Sequence, residues 1–255
     1  MWSSQRIHPP SRSRVVAPAC LRHFAASAHR GSPAPPSHLC REDAIPDCIL
    51  IFVRAPEPGR VKTRLAAEIG ARPALRVYRR LAEHAVAEAR ALGAAVALRI
   101  HFTPADAGEA VRRWLGDDGA VYLPQADAEL GGRMRAAFEA AFAEGHRRVV
   151  IIGSDLPGLT AGLLRQALGS LDDHPVVLGP AHDGGYYLLG LREMIPGLFH
   201  PIPWSTADVF DATMARLHAL GITPALLPAL GDVDVAADLP DGWRAWAAEE
   251  GGVAA

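Results

Sequence analysis

Lysine is almost absent from this chain of 255 residues: of its 26 basic side chains, one is Lys62 and the others are arginines. Ordinary surface charge is thus carried without lysine. Cysteine is scarce too. Cys20, Cys40 and Cys48 form no CxxC pair and share no metal-ligand spacing with any histidine. That pattern excludes a structural zinc and a disulfide framework and leads us to expect a reduced, cytoplasmic compartment. No apolar run approaches the ~18 residues of a membrane span. Acidic residues are missing from the first 41 positions, which hold six arginines, so 20 basic groups face 28 acidic ones in the remainder. An acidic body of this kind argues against a nucleic-acid partner, which needs a basic face.

The first 46 residues are rich in Ser, Pro, Arg and His, lack periodicity and read as a disordered extension. Their composition suits a transit peptide and equally an upstream stretch translated from a misplaced start, which the Ala/Arg richness favours. From Cys48 the chain alternates. Cys48–Arg54 is a continuous apolar run, the mark of a strand buried on both faces. Arg72–Leu92 carries a helical apolar stripe, and Leu130–Glu144 carries another. Strands are expected at Ala95–Thr103, Ala120–Pro124, Arg148–Asp155 and Pro175–Pro180. Short helices are expected at Asp106–Leu115 and from Thr160 to Leu171. Beyond Asp183 a turn enters a strand, and a helix near 206–220, a strand near 224–230 and a last helix after Asp234 follow. The expectation is one α/β domain over residues 47–250, a Rossmann-like, mixed but mostly parallel sheet flanked by helices.

Ligands of such sheets bind beyond the carboxyl ends of the strands. Four segments should meet there. The first is Pro56-Glu57-Pro58-Gly59-Arg60-Val61-Lys62-Thr63-Arg64, after the first strand. It is no Walker A loop, because Val61 stands where that motif has glycine and two prolines remove backbone donors. No GxGxxG follows any strand, which argues against a dinucleotide fold. What is left is a loop presenting Lys62 and Arg64 beside Gly59, suited to phosphate held by side chains. The second segment ends in Asp155, a carboxylate at a strand tip suited to Mg²⁺ or Mn²⁺, or to capping a helix. The third is Asp183-Gly184-Gly185-Tyr186, where the acid is placed to bind metal, a hydroxyl or a nucleophile and the glycines permit a tight turn. The fourth is Asp232-Val233-Asp234, of which one carboxylate is expected to face the site. Trp204 and Ser205 add a possible apolar platform and a helix cap. His182 and His200 are weaker acid–base candidates.

PEPGRVKTRL, IIGSDLPGL, LGPAHDGGYYLLGL, IPWST and DVDVAADL, in this order, resemble the radical-SAM- and selenodomain-associated transferase family, whose members are assigned as arsenosugar biosynthesis glycosyltransferases. The similarity spans about residues 48–240. It implies a GT-A fold, shared by nucleotide-sugar glycosyltransferases and by the molybdenum-cofactor and phospholactate guanylyltransferases. By position, Lys62 and Arg64 look like the phosphate-gripping residues, Asp155 like the first metal ligand and Asp234 like the second. Under a glycosyltransferase reading, Asp183 and Lys62 are the expected catalytic residues, Asp183 orienting or deprotonating the acceptor, and Gly184, Gly185, Tyr186, Trp204 and Ser205 are the expected acceptor or sugar contacts. DVDVAADL departs from the N-x-N/D-T-P-E-D-L pattern of the nucleotidyltransferases at Val235-Ala236-Ala237.

Three functions follow. In a metal-dependent glycosyltransferase, a nucleotide-sugar is the donor and a small molecule the acceptor. In a nucleotidyltransferase, the same cations act on a nucleoside triphosphate, a phosphorylated small molecule accepts the nucleotide and pyrophosphate leaves. The third is a non-catalytic nucleotide-sugar-binding or scaffold protein, against which the retained cluster of Lys62, Asp155, Asp183 and Asp234 speaks.

Overall fold

The computed structural model of the chain describes residues 46–200 and 202–249. The expected disordered extension lies outside these residues except for Pro46. Strand β1 (Asp47–Arg54) is buried along most of its length, with Cys48 to Ile51 fully inaccessible. It lies in register with β2 (Val96–Thr103) on one side and β4 (Val149–Ile152) on the other, parallel to both. Near-continuous Val, Ile and Leu in β1 and β4 suit strands covered on both faces. Burial pushes the Cys48 thiol up to about 12, so this cysteine behaves as a small apolar core residue.

The described strands form one sheet in the order β3-β2-β1-β4-β6-β5-β7. Here β3 is Val121–Pro124, β5 is Val176–Pro180, β6 is Tyr186–Leu191 and β7 is Ala225–Leu226. Strand β6 runs antiparallel to both β4 and β5, and the other pairings are parallel. The sheet is therefore mixed and mostly parallel, as expected. The reversal has a local cause. After β5 the chain turns within five residues and refills the gap that the β4-to-β5 crossover left open. Such a short connection permits only an antiparallel return.

Helices α2 (Ala71–Arg90), α3 (Gly108–Leu115) and α5 (Ala161–Ser170) cover one face, closing a core of Ile49, Ile51, Ile100, Ile152 and Leu164. Helices α4 (Leu130–Ala143) and α6 (Val209–Ala219) cover the other, around Leu50, Phe138, Ile151 and Leu189. Thr160 caps α5 as expected, its Oγ1 accepting from Leu163 N at 3.1 Å.

Four expectations need correction. A short helix, α1 (Thr63–Ile69), follows the lysine loop directly; seven residues were too few to show a stripe. The helix expected near 206 begins at Val209, because Thr206 Oγ1 donates to Pro203 O and accepts from Asp208 N, closing a turn before the helix. The last strand is cut to two residues. The segment after Asp234 makes a 3₁₀ turn at Ala236–Asp238, and a helix, α7 (Trp243–Ala248), starts only later. Asp238 Oδ2 accepts from Asp234 N and Val235 N and closes the start of that turn.

Among the described residues no helix is long and apolar enough to cross a membrane.

Candidate active site

The lysine loop is held from below by two apolar anchors. Val61 is buried against Tyr78 and Ala82, and Leu65 is fully buried in the cluster that joins α1, α2 and Val233. Anchors four residues apart leave Lys62 and Arg64 between them to project over the strand ends. Lys62 itself sits in the left-handed region, φ 47, an uncommon setting for a side chain of this kind. Tyr78 fixes the strand that feeds the loop: its hydroxyl accepts from Arg54 N at 2.7 Å and donates to Arg54 O at 2.8 Å. Burial raises this phenol to about 12, so it acts as a neutral clamp. Tyr78 reads in the helical stripe of Arg72–Leu92 as one more apolar position, which hides that role.

The cations meet acids from two other segments. Lys62 Nζ lies 2.8 Å from Asp155 Oδ2, its side chain 9% exposed and that of Asp155 37%. Arg64 Nη1 lies 2.7 Å from Asp234 Oδ2, with the guanidinium well exposed. Val233, buried completely, donates its N–H to Asp155 O at 3.2 Å and pins the Asp232–Asp234 segment to the end of β4. Flanking this anchor, Asp234 takes Arg64 and Asp232 lines the adjacent cleft. Burial, and then the charges of Asp155 and Asp183, push the Asp232 carboxyl above its ordinary value, with Lys62 opposing them. Asp232, which the sequence offered only as the alternate of Asp234, is thus the carboxylate that shares a field with Asp155 and Asp183.

Asp183 Oδ1 accepts from Gly185 N at 2.9 Å, which locks an Asx turn and leaves the second oxygen free. Gly184 has φ +87, and a Cβ there would stand 2.0 Å from Ala207 O. Its own carbonyl accepts from Phe210 N at 3.0 Å. Only glycine fits this junction between the turn and the start of α6.

Beside the acids opens a cleft of about 500 Å³. Of the residues singled out in the sequence, Arg64, Asp155, Asp183, Gly185, Tyr186, Trp204 and Ser205 line it. Lys62 is reached through Asp155 and does not line the wall. Gly59, with φ +74, shapes the loop and stays outside, as does Asp234. His182 and His200 are exposed and do not border the cleft. The apolar part of the lining, with Phe52, Leu130 and Met134, was missed because each reads as ordinary core in its own periodic segment.

The donors on this wall are hard carboxylate oxygens, the type that Mg²⁺ and Mn²⁺ accept. Among the described residues no three His, Cys, Asp or Glu side chains are gathered into a cage. One or two carboxylates beside a cationic loop fit an ion that arrives with phosphate oxygens, and do not fit a stand-alone structural metal.

A family model described as an uncharacterised protein conserved in bacteria, DUF2064, matches residues 86–206. A solved structure of a candidate nucleotide-diphospho-sugar transferase from Desulfovibrio desulfuricans G20 is 37% identical, with a TM-score of 0.70, over 74% of this chain and 82% of that one. The chain belongs to the DUF2064 family. Two more distant structures share the fold. One is a CMP:2-keto-3-deoxy-manno-octonic acid synthetase complexed with CTP, at TM-score 0.52 and 16% identity, over 79% of this chain and 98% of that one. The other is a 4-diphosphocytidyl-2C-methyl-D-erythritol synthase from Anaerococcus prevotii, at TM-score 0.50 and 10% identity, over 80% and 95%. No curated protein matches the chain.

Proposed function

We propose that the protein is a metal-dependent glycosyltransferase that takes a nucleotide-sugar donor and a small-molecule acceptor. The observation that carries this reading is the pair of ion bridges, Lys62–Asp155 at 2.8 Å and Arg64–Asp234 at 2.7 Å, beside the cleft. Two cations and their carboxylates are already gathered where a diphosphate and a divalent ion need opposite charges. When a donor enters, Lys62 and Arg64 exchange their carboxylates for phosphate oxygens, and Asp155 and Asp234, with Asp232 beside them, become available as oxygen donors. A bound Mg²⁺ or Mn²⁺ would supply charge neutralisation to the departing diphosphate. Lys62 and Arg64 stabilise the same charge from the other side, the main electrostatic demand of glycosyl transfer. The glycosidic bond to the β-phosphate oxygen breaks, the acceptor oxygen bonds to the anomeric carbon, and the acceptor proton leaves. The free oxygen of Asp183 is placed to orient that hydroxyl or receive its proton. The name of the Desulfovibrio relative supports the donor class. The family resemblance adds arsenosugar or selenium metabolism as the setting for the acceptor.

A second reading, nucleotidyl transfer with release of pyrophosphate, draws on the carboxylates that rise from two separate segments, Asp155 and Asp232–Asp234, and on the shared fold of the two synthases. One assay separates the two: incubation with Mg²⁺ or Mn²⁺ and panels of nucleotide-sugars and nucleoside triphosphates. Release of a nucleoside diphosphate with a neutral acceptor supports glycosyl transfer. Pyrophosphate release with a phosphorylated acceptor refutes it.

A further inference from the structure

The sheet forks where the site is built. After β1 the chain lays β2 and β3 on one side and then returns to place β4 on the other. Such a switch in strand order is where α/β sheets leave a crevice. The pairing of β1 with β4 stops at Ile51 and Ile152, while its pairing with β2 runs on to Arg54 and Thr103. Carried three residues further, the β1–β4 register would set Arg54 against Asp155.

In a parallel ladder the N–H and C=O of one residue address the same neighbour, and successive residues address alternate sides. Cys48 N donates to Arg148 O, just before β4, and Ala55 N donates to Thr103 O, at the end of β2. Arg54, in phase with Cys48, therefore turns both backbone polar groups toward the side that β4 has left. The Tyr78 hydroxyl meets them there, accepting from Arg54 N at 2.7 Å and donating to Arg54 O at 2.8 Å. A side chain from α2 thus stands in for the missing rung. The other arm is diverted as well. Gly153 N donates to Tyr187 O on β6, and Asp155 O accepts from Val233 N at 3.2 Å. With both arms satisfied elsewhere the strands part, and the Asp155 carboxylate is left in the fork, 2.8 Å from Lys62 Nζ.

Tyr78 touches both arms. It is 5% exposed and packs against Val61, the residue before Lys62, and against Trp114 at 5.9 Å between ring centroids. Burial pushes the phenol up to about 12, and the Arg54 backbone and then the Ser154 hydroxyl pull it back. The residue before Asp155 therefore lies beside the phenol too. Tyr78 does not line the cleft, so it acts through its neighbours. We propose that Tyr78 is a positioning residue, whose hydroxyl holds the β1–β4 fork open and thereby fixes where Lys62 and Asp155 stand relative to each other. In treating that pair as a phosphate and metal site, the proposal rests on the glycosyltransferase reading.

Lys62 is the chain's only lysine, so the full chain labelled with ¹³Cε-lysine gives one side-chain signal, read without nucleotide or metal. A held side chain shows two distinct ε-methylene proton shifts, and a freely turning one shows a single average. Wild type is expected to show two. Tyr78→Phe keeps the ring and removes the rung; its two shifts are expected to merge, as in Asp155→Ala, which removes the partner. Val86→Ala opens a cavity in the far half of α2, lowers stability without touching the fork, and should keep both shifts. Two shifts retained in Tyr78→Phe, merged shifts in Val86→Ala, or a single shift in wild type overturns the proposal. A second measurement needs no variant. The Arg54 amide of wild type should be protected from hydrogen exchange about a hundred-fold although β4 gives it no partner, and an unprotected amide also overturns the proposal. In titrations with Mg²⁺–nucleoside diphosphate, Tyr78→Phe is expected to bind about ten-fold more weakly than wild type and Val86→Ala equally well. Equal binding by Tyr78→Phe counts against the positioning role. If wild type binds no nucleoside diphosphate, the glycosyltransferase reading fails, and the lysine signals still decide the role of Tyr78.

Discussion

Replacing Lys62 with methionine removes one charge while keeping most of the side-chain length. Its left-handed backbone, φ 47, is no worse for methionine than for lysine, so the variant isolates the ammonium. Two effects are expected. The first is on stability: the Lys62 side chain is 9% exposed, but its partner Asp155 is 37% exposed and can rehydrate. An exposed pair contributes about 0–1 kcal/mol and stripping one partner from a fully buried pair costs about 3–5 kcal/mol, so an intermediate loss of about 1–2 kcal/mol is expected. For a domain of this size that is roughly 2–4 °C of melting temperature for each kcal/mol. The second is on ligands, and there the signs differ. A hydrogen bond from a charged donor contributes about 1.5–3 kcal/mol, so a Mg²⁺–nucleoside diphosphate should bind about ten- to a hundred-fold more weakly. The metal ion alone should bind more tightly, because Asp155 no longer has a competing ammonium. Isothermal titration of wild type and variant with the ion alone, and then with ion and nucleotide together, reads both. Unchanged nucleotide affinity, or weaker binding of the ion alone, would refute the partner exchange.

Other outcomes follow from the same geometry. Asp232→Asn removes a carboxylate whose folded pKa is raised, so in the wild type stability declines as pH rises from the ordinary carboxylate value through that raised one. The variant should be more stable than wild type at pH 7 yet bind Mg²⁺–nucleotide less well; urea unfolding and calorimetry check the pair, and a less stable variant contradicts the assigned field. His101, buried and flanked by Arg99, has its pKa lowered from 6.5 to about 4. The unfolded chain gains that proton first, so stability is lost as pH falls across this window, on the order of 3 kcal/mol at its lower end. His101→Leu should flatten the slope in denaturant melts at pH 7 and 4.5, and equal slopes would count against the assignment. Gly184→Ala should cost about 2 kcal/mol or more, because both its φ of +87 and the 2.0 Å approach to Ala207 O forbid a side chain. A melt like that of wild type would show that the turn can relax.

Most of the fold was legible because its signals are local. β1 and β4 are continuous apolar runs, and α2 and α4 carry one-sided stripes, so strand, helix and layer followed from periodicity. Even the mixed sheet was foreshadowed by the break after Asp183. What escaped depended on contacts between distant segments. α1 is too short for a stripe, and its stability comes from Leu65 packing against Val233, 168 positions on. Lys62, Arg64, Asp155, Asp183 and Asp234 could be singled out because each follows a strand end. Their pairing could not, since it joins segments far apart in the chain. The expectation that one of Asp232 and Asp234 at a time faces the site was mistaken: residues two apart in an extended segment share a face. With Val233 buried between them, Asp232 lines the cleft while Asp234 pairs with Arg64. Leu130, Met134 and Phe52 were invisible for the opposite reason: a residue that lines a cleft beside the core obeys the same pattern as one inside it.

The central claim is that the loop of Lys62 and the acids opposite it form one site for a metal-bound nucleoside diphosphate. Its most direct measurement is the calorimetric titration of the five common nucleoside diphosphates into wild type and Asp155→Ala, with Mg²⁺ and with EDTA. At least one nucleotide is expected to bind wild type only with Mg²⁺ present, and Asp155→Ala is expected to lose that dependence along with the affinity. Binding of equal strength in EDTA, undiminished Mg²⁺ dependence in Asp155→Ala, or no binding by any of the five would contradict it.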